Sequence, residues 1–155
     1  MLSISRLRYF LLAAVLSLVS LKTANAETTT KLTVVVNGIR QQKGAICFRV
    51  YASEKGFPMS DTSEIQSGCT RVTGKTVTKS FSGLKPGKYA VAIVHDENGN
   101  RKLDTDFFGI PKEGFGISNN PIVSIQTGTP AFSKSSFTVT KSTSVNISVK
   151  YSLDP

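Results

Sequence analysis

The sequence predicts an all-β fold: a single antiparallel β-sandwich of about seven strands with one long irregular loop. Three observations predict it. Short runs of β-branched and aromatic residues recur along the chain, separated by turns rich in Gly, Asn and Pro. The last run alternates with period two, placing Val145, Ile147, Val149 and Tyr151 on one face and Asn146, Ser148, Lys150 and Ser152 on the other. Beyond residue 26, no segment carries the periodicity of an amphipathic helix.

In chain order, Lys31–Val36 is β-branched and stops at Asn37-Gly38, a strong turn pair. Gly44–Ala52 is the second strand. Glu54–Gly68 reads as a loop insertion, with Gly56-Phe57-Pro58-Met59 as a tucked-in apolar turn. Thr70–Thr73 and Thr76–Phe81, parted by Gly74, supply the third and fourth strands. Lys85-Pro86-Gly87 turns the chain into Tyr89–His95. Both faces of that strand are apolar, which places it at the centre of a sheet. Phe107–Pro130 is the longest irregular stretch, and ordered loops of that kind often carry function. Ser136–Thr140 and Ser144–Tyr151 close the domain. Tryptophan is absent, so the core falls to Val, Ile, Leu, Phe and Tyr.

Residues 1–26 read as an export signal. Arg6 and Arg8 form a basic start, Phe10–Leu21 an apolar run, and Ala24-Asn25-Ala26 a small-x-small cleavage site. The run is shorter than the roughly 20 residues that span a bilayer, and no later segment is long and apolar enough. The expectation is a periplasmic or secreted domain over 27–155 with no integral membrane segment. Loss of Arg6, Arg8 and Lys22 lowers the formal net charge from +9 to +6. The remaining lysines are scattered, which reads as solvated surface, with nucleic-acid or anionic-glycan binding as the minor alternative, and export argues further against nucleic acid. An unknown envelope protein or glycan is the expected partner. Cys47 and Cys69 are expected to pair in an oxidising compartment, two free thiols being the alternative. The disulfide closes a loop worth roughly 3 kcal/mol in the chain-entropy model.

The chemistry-bearing segment is His95-Asp96-Glu97-Asn98-Gly99-Asn100-Arg101-Lys102-Leu103-Asp104. Its oxygen-bearing side chains at alternate positions are the pattern with which a curled backbone surrounds calcium. Asp96, Asn98 and Asn100 fill the alternating slots, the carbonyl of Lys102 the backbone slot, and Asp104 the closing acid. Two departures exclude an EF-hand: Arg101 stands where Gly is expected, and Phe107 where the closing Glu is expected. The bland reading is a tight turn in which Asx side chains cap their own backbone. His95, Asp106 and Glu113 are additional candidates. His95 is the only histidine, and strand alternation points it away from Asp96, so a strand-end histidine bonded to the following loop is favoured over an acid–base pair. Phe107, Phe108 and Phe115 are expected to fold inward and cap the sandwich. No catalytic residue is assigned, since no nucleophile elbow, phosphate loop or dinucleotide fingerprint occurs.

Leu84-Lys85-Pro86-Gly87-Lys88-Tyr89, His95 to Asn100, Phe108-Gly109-Ile110-Pro111-Lys112-Glu113-Gly114, Ser118-Asn119-Asn120 and Gly128-Thr129-Pro130-Ala131-Phe132 together resemble the bacterial domain of unknown function family 2141. The family pattern usually has Gly where this chain has Arg101. The resemblance implies an exported domain and assigns no activity. More distantly, Leu-x-Pro-Gly-x-Tyr before a strand is similar to prealbumin-like and carboxypeptidase-regulatory-like sandwich modules, within the broad immunoglobulin-like architecture. The functional expectation is therefore a non-enzymatic binding or accessory module of the cell envelope with a calcium-stabilised loop. The alternative is a secreted hydrolase using His95 with nearby carboxylates.

Overall fold

Alternation in the first strand sets the architecture: Leu32, Val34 and Val36 are buried while Lys31, Thr33 and Val35 turn away. One apolar face demands a second sheet to cover it. The computed structural model describes residues 30–155, in which eight strands form two sheets. They are β1 (Thr30–Asn37), β2 (Ala45–Tyr51), β3 (Gln66–Arg71), β4 (Val77–Leu84), β5 (Gly87–Asp96), β6 (Gly114–Ile117), β7 (Phe137–Val139) and β8 (Thr143–Ser148). A short helical turn, α1 (Phe132–Ser135), precedes β7. The expected signal segment lies outside the described residues. Among those described, no helix is long and apolar enough to cross a membrane.

The smaller sheet runs β4-β1-β8 and the larger β3-β2-β5-β6. β7 pairs with Gly87–Tyr89 of β5, and β6 with Ala92–His95, so the two lie end to end along one edge of β5. The centrality expected of Tyr89–His95 holds: β2 flanks β5 on its other side. Between the sheets, Leu32, Val34 and Val36 meet Ile46, Phe48 and Val50 from β2, and Tyr89, Val91 and Ile93 from β5. Phe48 and Phe81 close the core edge to face, with centroids 6.2 Å apart. Cys47 and Cys69 sit directly opposite each other on β2 and β3, Cα atoms 4.0 Å apart, and are joined as a disulfide.

Four sequence expectations need correction. First, the sandwich is not wholly antiparallel, because β8 pairs with β1 in parallel register. Second, the third strand starts at Gln66 rather than Thr70, so the insertion after β2 is shorter than expected. Third, the regular ladder of the last strand ends at Ser148; beyond it Lys150 forms an isolated bridge to Phe115.

Fourth, the irregular stretch contains β6, whose Gly114-Phe115-Gly116-Ile117 hides a strand behind two glycines. Their missing side chains are required. A Cβ on Gly114 meets Tyr151 Cε1 at 2.6 Å, and one on Gly116 meets Ile147 Cγ2 at 2.7 Å. β6 is pressed onto the smaller sheet, and only Gly fits its inward face.

Candidate functional site

β5 and β6 are neighbours, so residues 97–113 form the loop of a wide hairpin. Carboxylates at its two ends hold it. Asp96 is buried, and its Oδ1 accepts the Gly99 and Asn100 N–H groups at 2.7 and 3.2 Å while Oδ2 accepts that of Arg101 at 2.9 Å. Glu113, also buried, accepts the N–H groups of Glu97 at 2.9 Å and Asp104 at 3.3 Å. Arg101 adopts φ 61°, the left-handed conformation that Gly takes freely.

Asn98 and Asn100 each turn an amide onto Asp104, with Nδ2 to carboxylate distances of 2.5 and 2.9 Å. The Asn100 Oδ1 accepts the Lys102 N–H at 2.8 Å. Asp106 caps an inner turn, its Oδ1 accepting the N–H groups of Phe108 and Ile110 at 2.9 Å each. The loop therefore brings together Asn98, Asn100 and Asp104. Asp96 and Glu113 serve as backbone acceptors at its ends.

His95 lies on the opposite face of β5 from Asp96, as alternation requires, and is 0% exposed. Its hydrogen-bond partners are not in the following loop, although the Glu97 carboxylate there lies 3.9 Å from Nδ1. Nε2 meets the Lys43 carbonyl at 2.7 Å, and Nδ1 meets the Tyr151 hydroxyl at 2.7 Å. The carbonyl can only accept, so Nε2 carries a proton; with the ring neutral, Tyr151 donates to Nδ1. The same hydroxyl accepts the Arg40 N–H at 3.1 Å, and the Arg40 guanidinium stacks 4.2 Å above the Tyr151 ring. Burial pushes the Tyr151 hydroxyl above the usual tyrosine range. Both ring nitrogens of His95 are thus committed to a structural network that ties β5 to the chain on either side of the sandwich. It does not converge with Asp104 or Asp106 on an open surface.

A larger feature lies on the outer face of the five-stranded sheet. Ala92 and Val94 of β5, with Phe115 and Ile117 of β6, form the floor of a cleft of about 900 Å3. One wall is the loop after β2, with Pro58 and Met59. The opposite walls are Leu103 and Ile110 from the hairpin loop and Val123 and Ile125 from the segment after β6.

β2 fixes the first wall from below. The Tyr51 hydroxyl lies 2.6 Å from the Ser60 carbonyl oxygen and 3.0 Å from that of Pro58. Phe57 packs edge to face between Tyr51 and Phe132. The Arg49 guanidinium bridges both sides, donating to the carbonyls of Met59 at 3.0 Å and Arg101 at 2.8 Å.

Phe115 is buried in this floor, but Phe107 and Phe108 are 96% and 82% exposed, so the inward cap expected of them is not formed. The Asp106 cap faces their backbone outward at the tip of the inner turn. Ser118, Asn119 and Asn120 pin the third wall. Ser118 Oγ accepts the Val91 N–H at 2.9 Å and donates to the Ser135 carbonyl at 2.6 Å. Asn119 reaches the Ser136 carbonyl, and Asn120 accepts the Ser148 N–H.

Sequence reasoning centred on the oxygen-rich loop and missed Arg49, Ala92 and Val94. The available signal was the small apolar residues on the outer face of a central strand beside an arginine on its neighbour. A family model described as an uncharacterized protein conserved in bacteria (DUF2141) matches residues 34–148. No curated protein and no solved structure matches the chain, so the likeness to prealbumin-like modules rests on the Leu-x-Pro-Gly-x-Tyr turn alone.

Proposed function

From the premise that the chain belongs to the uncharacterised bacterial family DUF2141, we propose that it is an exported, non-enzymatic binding or accessory module of the cell envelope that works through the outer-face cleft. The observation that carries this reading is the cleft itself: a concave apolar floor on a rigid sheet, walled by three loops anchored from beneath. Concave apolar surfaces with few, fixed polar groups are the usual form of ligand sites. An apolar lining suits an apolar guest better than a glycan. The cross-strand disulfide and the signal-like first residues support export.

The test is titration with Nile red, a neutral dye that fluoresces in apolar surroundings. The expected result is saturable one-to-one binding that Ala92→Phe, which fills the floor, abolishes without unfolding the protein. Absence of saturable binding by the wild type contradicts the reading.

A calcium ion on the hairpin loop belongs to the same proposal. Asn98, Asn100 and Asp104 already converge, and rotating the two amides exchanges Nδ2 for Oδ1, leaving a carboxylate and two amide oxygens around one point. The Lys102 carbonyl and water would complete the shell. Asp96 contributes least, because three backbone N–H groups occupy its carboxylate. Thermal unfolding with calcium and with chelator tests this. An ion bound only by the folded state stabilises by about 2.7 kcal/mol at one hundred times its dissociation constant, and an unchanged midpoint at millimolar calcium removes it.

A further inference from the structure

We propose that the cleft takes an elongated apolar molecule carrying one anionic end, an aliphatic carboxylate being the simplest case, with the anion seated on Arg49. This rests on the cleft being a binding site and adds the chemistry of its guest.

Arg49 sits on the outer face of β2 and lines the cleft. Its closest partners are the neutral carbonyls of Met59 and Arg101 and the Tyr51 hydroxyl, on which the charges of Glu64 and Asp61 also act without either carboxylate reaching ion-pair distance of Arg49. Among the described residues no carboxylate forms an ion pair with it. A guanidinium carries five N–H donors, so two carbonyls leave it with donors and a full charge to offer. A half-buried cation facing apolar walls without a counterion is electrostatically incomplete. The lining adds Arg101 and Lys102 against one carboxylate, Asp61, so positive charge predominates. In and beside the hairpin loop, Asp96, Asp104, Asp106 and Glu113 are taken by N–H groups of that loop, and Glu97 pairs with Arg40.

The apolar part follows from exposure. Seven large apolar side chains are exposed among the described residues, and four of them, Met59, Phe108, Ile110 and Ile125, line this one cleft. Scattered exposure is ordinary, whereas exposure gathered around a concavity marks a contact surface. A volume of about 900 Å3 lies within the range of small-molecule sites.

The experiment is isothermal titration of the wild-type protein with dodecanoate, dodecanol and dodecyltrimethylammonium. The expected result is one-to-one dodecanoate binding about tenfold or more tighter than dodecanol, as one charge-assisted contact provides, with the cation weakest. Arg49→Gln should bring dodecanoate down to the level of dodecanol, and Arg49→Lys should restore part of the difference. Ile125→Glu, at an exposed wall position, should weaken dodecanoate most. Ile65→Ser, at an exposed position outside the lining, should change nothing.

Equal binding of dodecanoate and dodecanol overturns the anionic assignment while leaving the cleft as a binding site. Failure of all three ligands overturns both. Loss of binding in Ile65→Ser moves the site away from the cleft and also overturns it. The three-ligand comparison needs no variant, so a misfolded substitution does not weaken the test.

Discussion

Arg101 stands where a calcium loop of this type expects Gly, and the structure shows what that position asks of a residue: φ 61°. A side chain there carries left-handed strain of about 1 kcal/mol. Arg101→Gly is therefore expected to raise the unfolding free energy by about 0.5 kcal/mol at most, since strain relief is largely offset by added freedom in the unfolded chain. Denaturant unfolding checks it. Asp96 is the opposite case. Its buried carboxylate accepts three loop N–H groups, so Asp96→Ala should cost about 2–3 kcal/mol and raise amide exchange across Gly99–Arg101. At this scale the sequence was partly legible. The spacing of Asp96, Asn98, Asn100 and Asp104 marked an ordered loop. It did not say that Asp96 would turn its oxygens to the backbone while Asn98, Asn100 and Asp104 turned to one another, because both arrangements use the same residues. His95 was rightly separated from Asp96 by alternation, but its partners, Lys43 and Tyr151, lie far away in sequence and could not be named.

Among elements, β6 was the one least visible. Its pattern of Gly, Phe, Gly and Ile satisfies period two, yet propensity counts Gly against a strand. The smaller sheet comes so close that propensity is overruled: Ile147 Cγ2 and the Ser148 carbonyl lie 2.7 and 3.0 Å from where a Gly116 Cβ would be. Gly116→Ala is expected to destabilise by about 1–3 kcal/mol, as overpacking does, measured as a lower denaturant midpoint with an unchanged slope. Gly74→Ala, with nothing within 4 Å of the added Cβ, serves as its comparison and should be nearly neutral. The parallel pairing of β1 and β8 was equally invisible, since alternation marks a face and not a direction. β1 was legible because its buried positions repeat every second residue, and β5 because it is apolar on both faces.

Across the whole molecule, two tyrosines on opposite sides of the sandwich share one physical property. Burial raises the hydroxyl of Tyr51, despite the opposing charge of Arg49, and burial likewise raises Tyr151. A group whose folded pKa exceeds its unfolded one holds protons more tightly when folded, so its contribution is complete below the unfolded value and lost as pH rises through the folded one. Stability should therefore hold up to about pH 10 and then fall. Phe at positions 51 and 151 should flatten that alkaline slope while lowering stability at neutral pH by about 1 kcal/mol for each lost hydroxyl contact.

Tyr51 also shows how the cleft arises. Tyr51 and Arg49 hold one wall, Asp96 and Glu113 order a second, and Ser118 to Asn120 pin the third. The sheet between them keeps small residues on its outer face. The sequence contained every one of these residues, but their meeting depends on β6 and on loop paths that local pattern does not encode.

That meeting is tested most directly by methyl resonances during titration with dodecanoate. Ala92, Val94, Ile117 and Ile125, which line the cleft, should shift and saturate together. Val91 and Leu32, packed between the sheets, should stay unchanged. Shifts confined to Ile65, or no saturating shift at Ala92 and Val94, would contradict a binding cleft on this face.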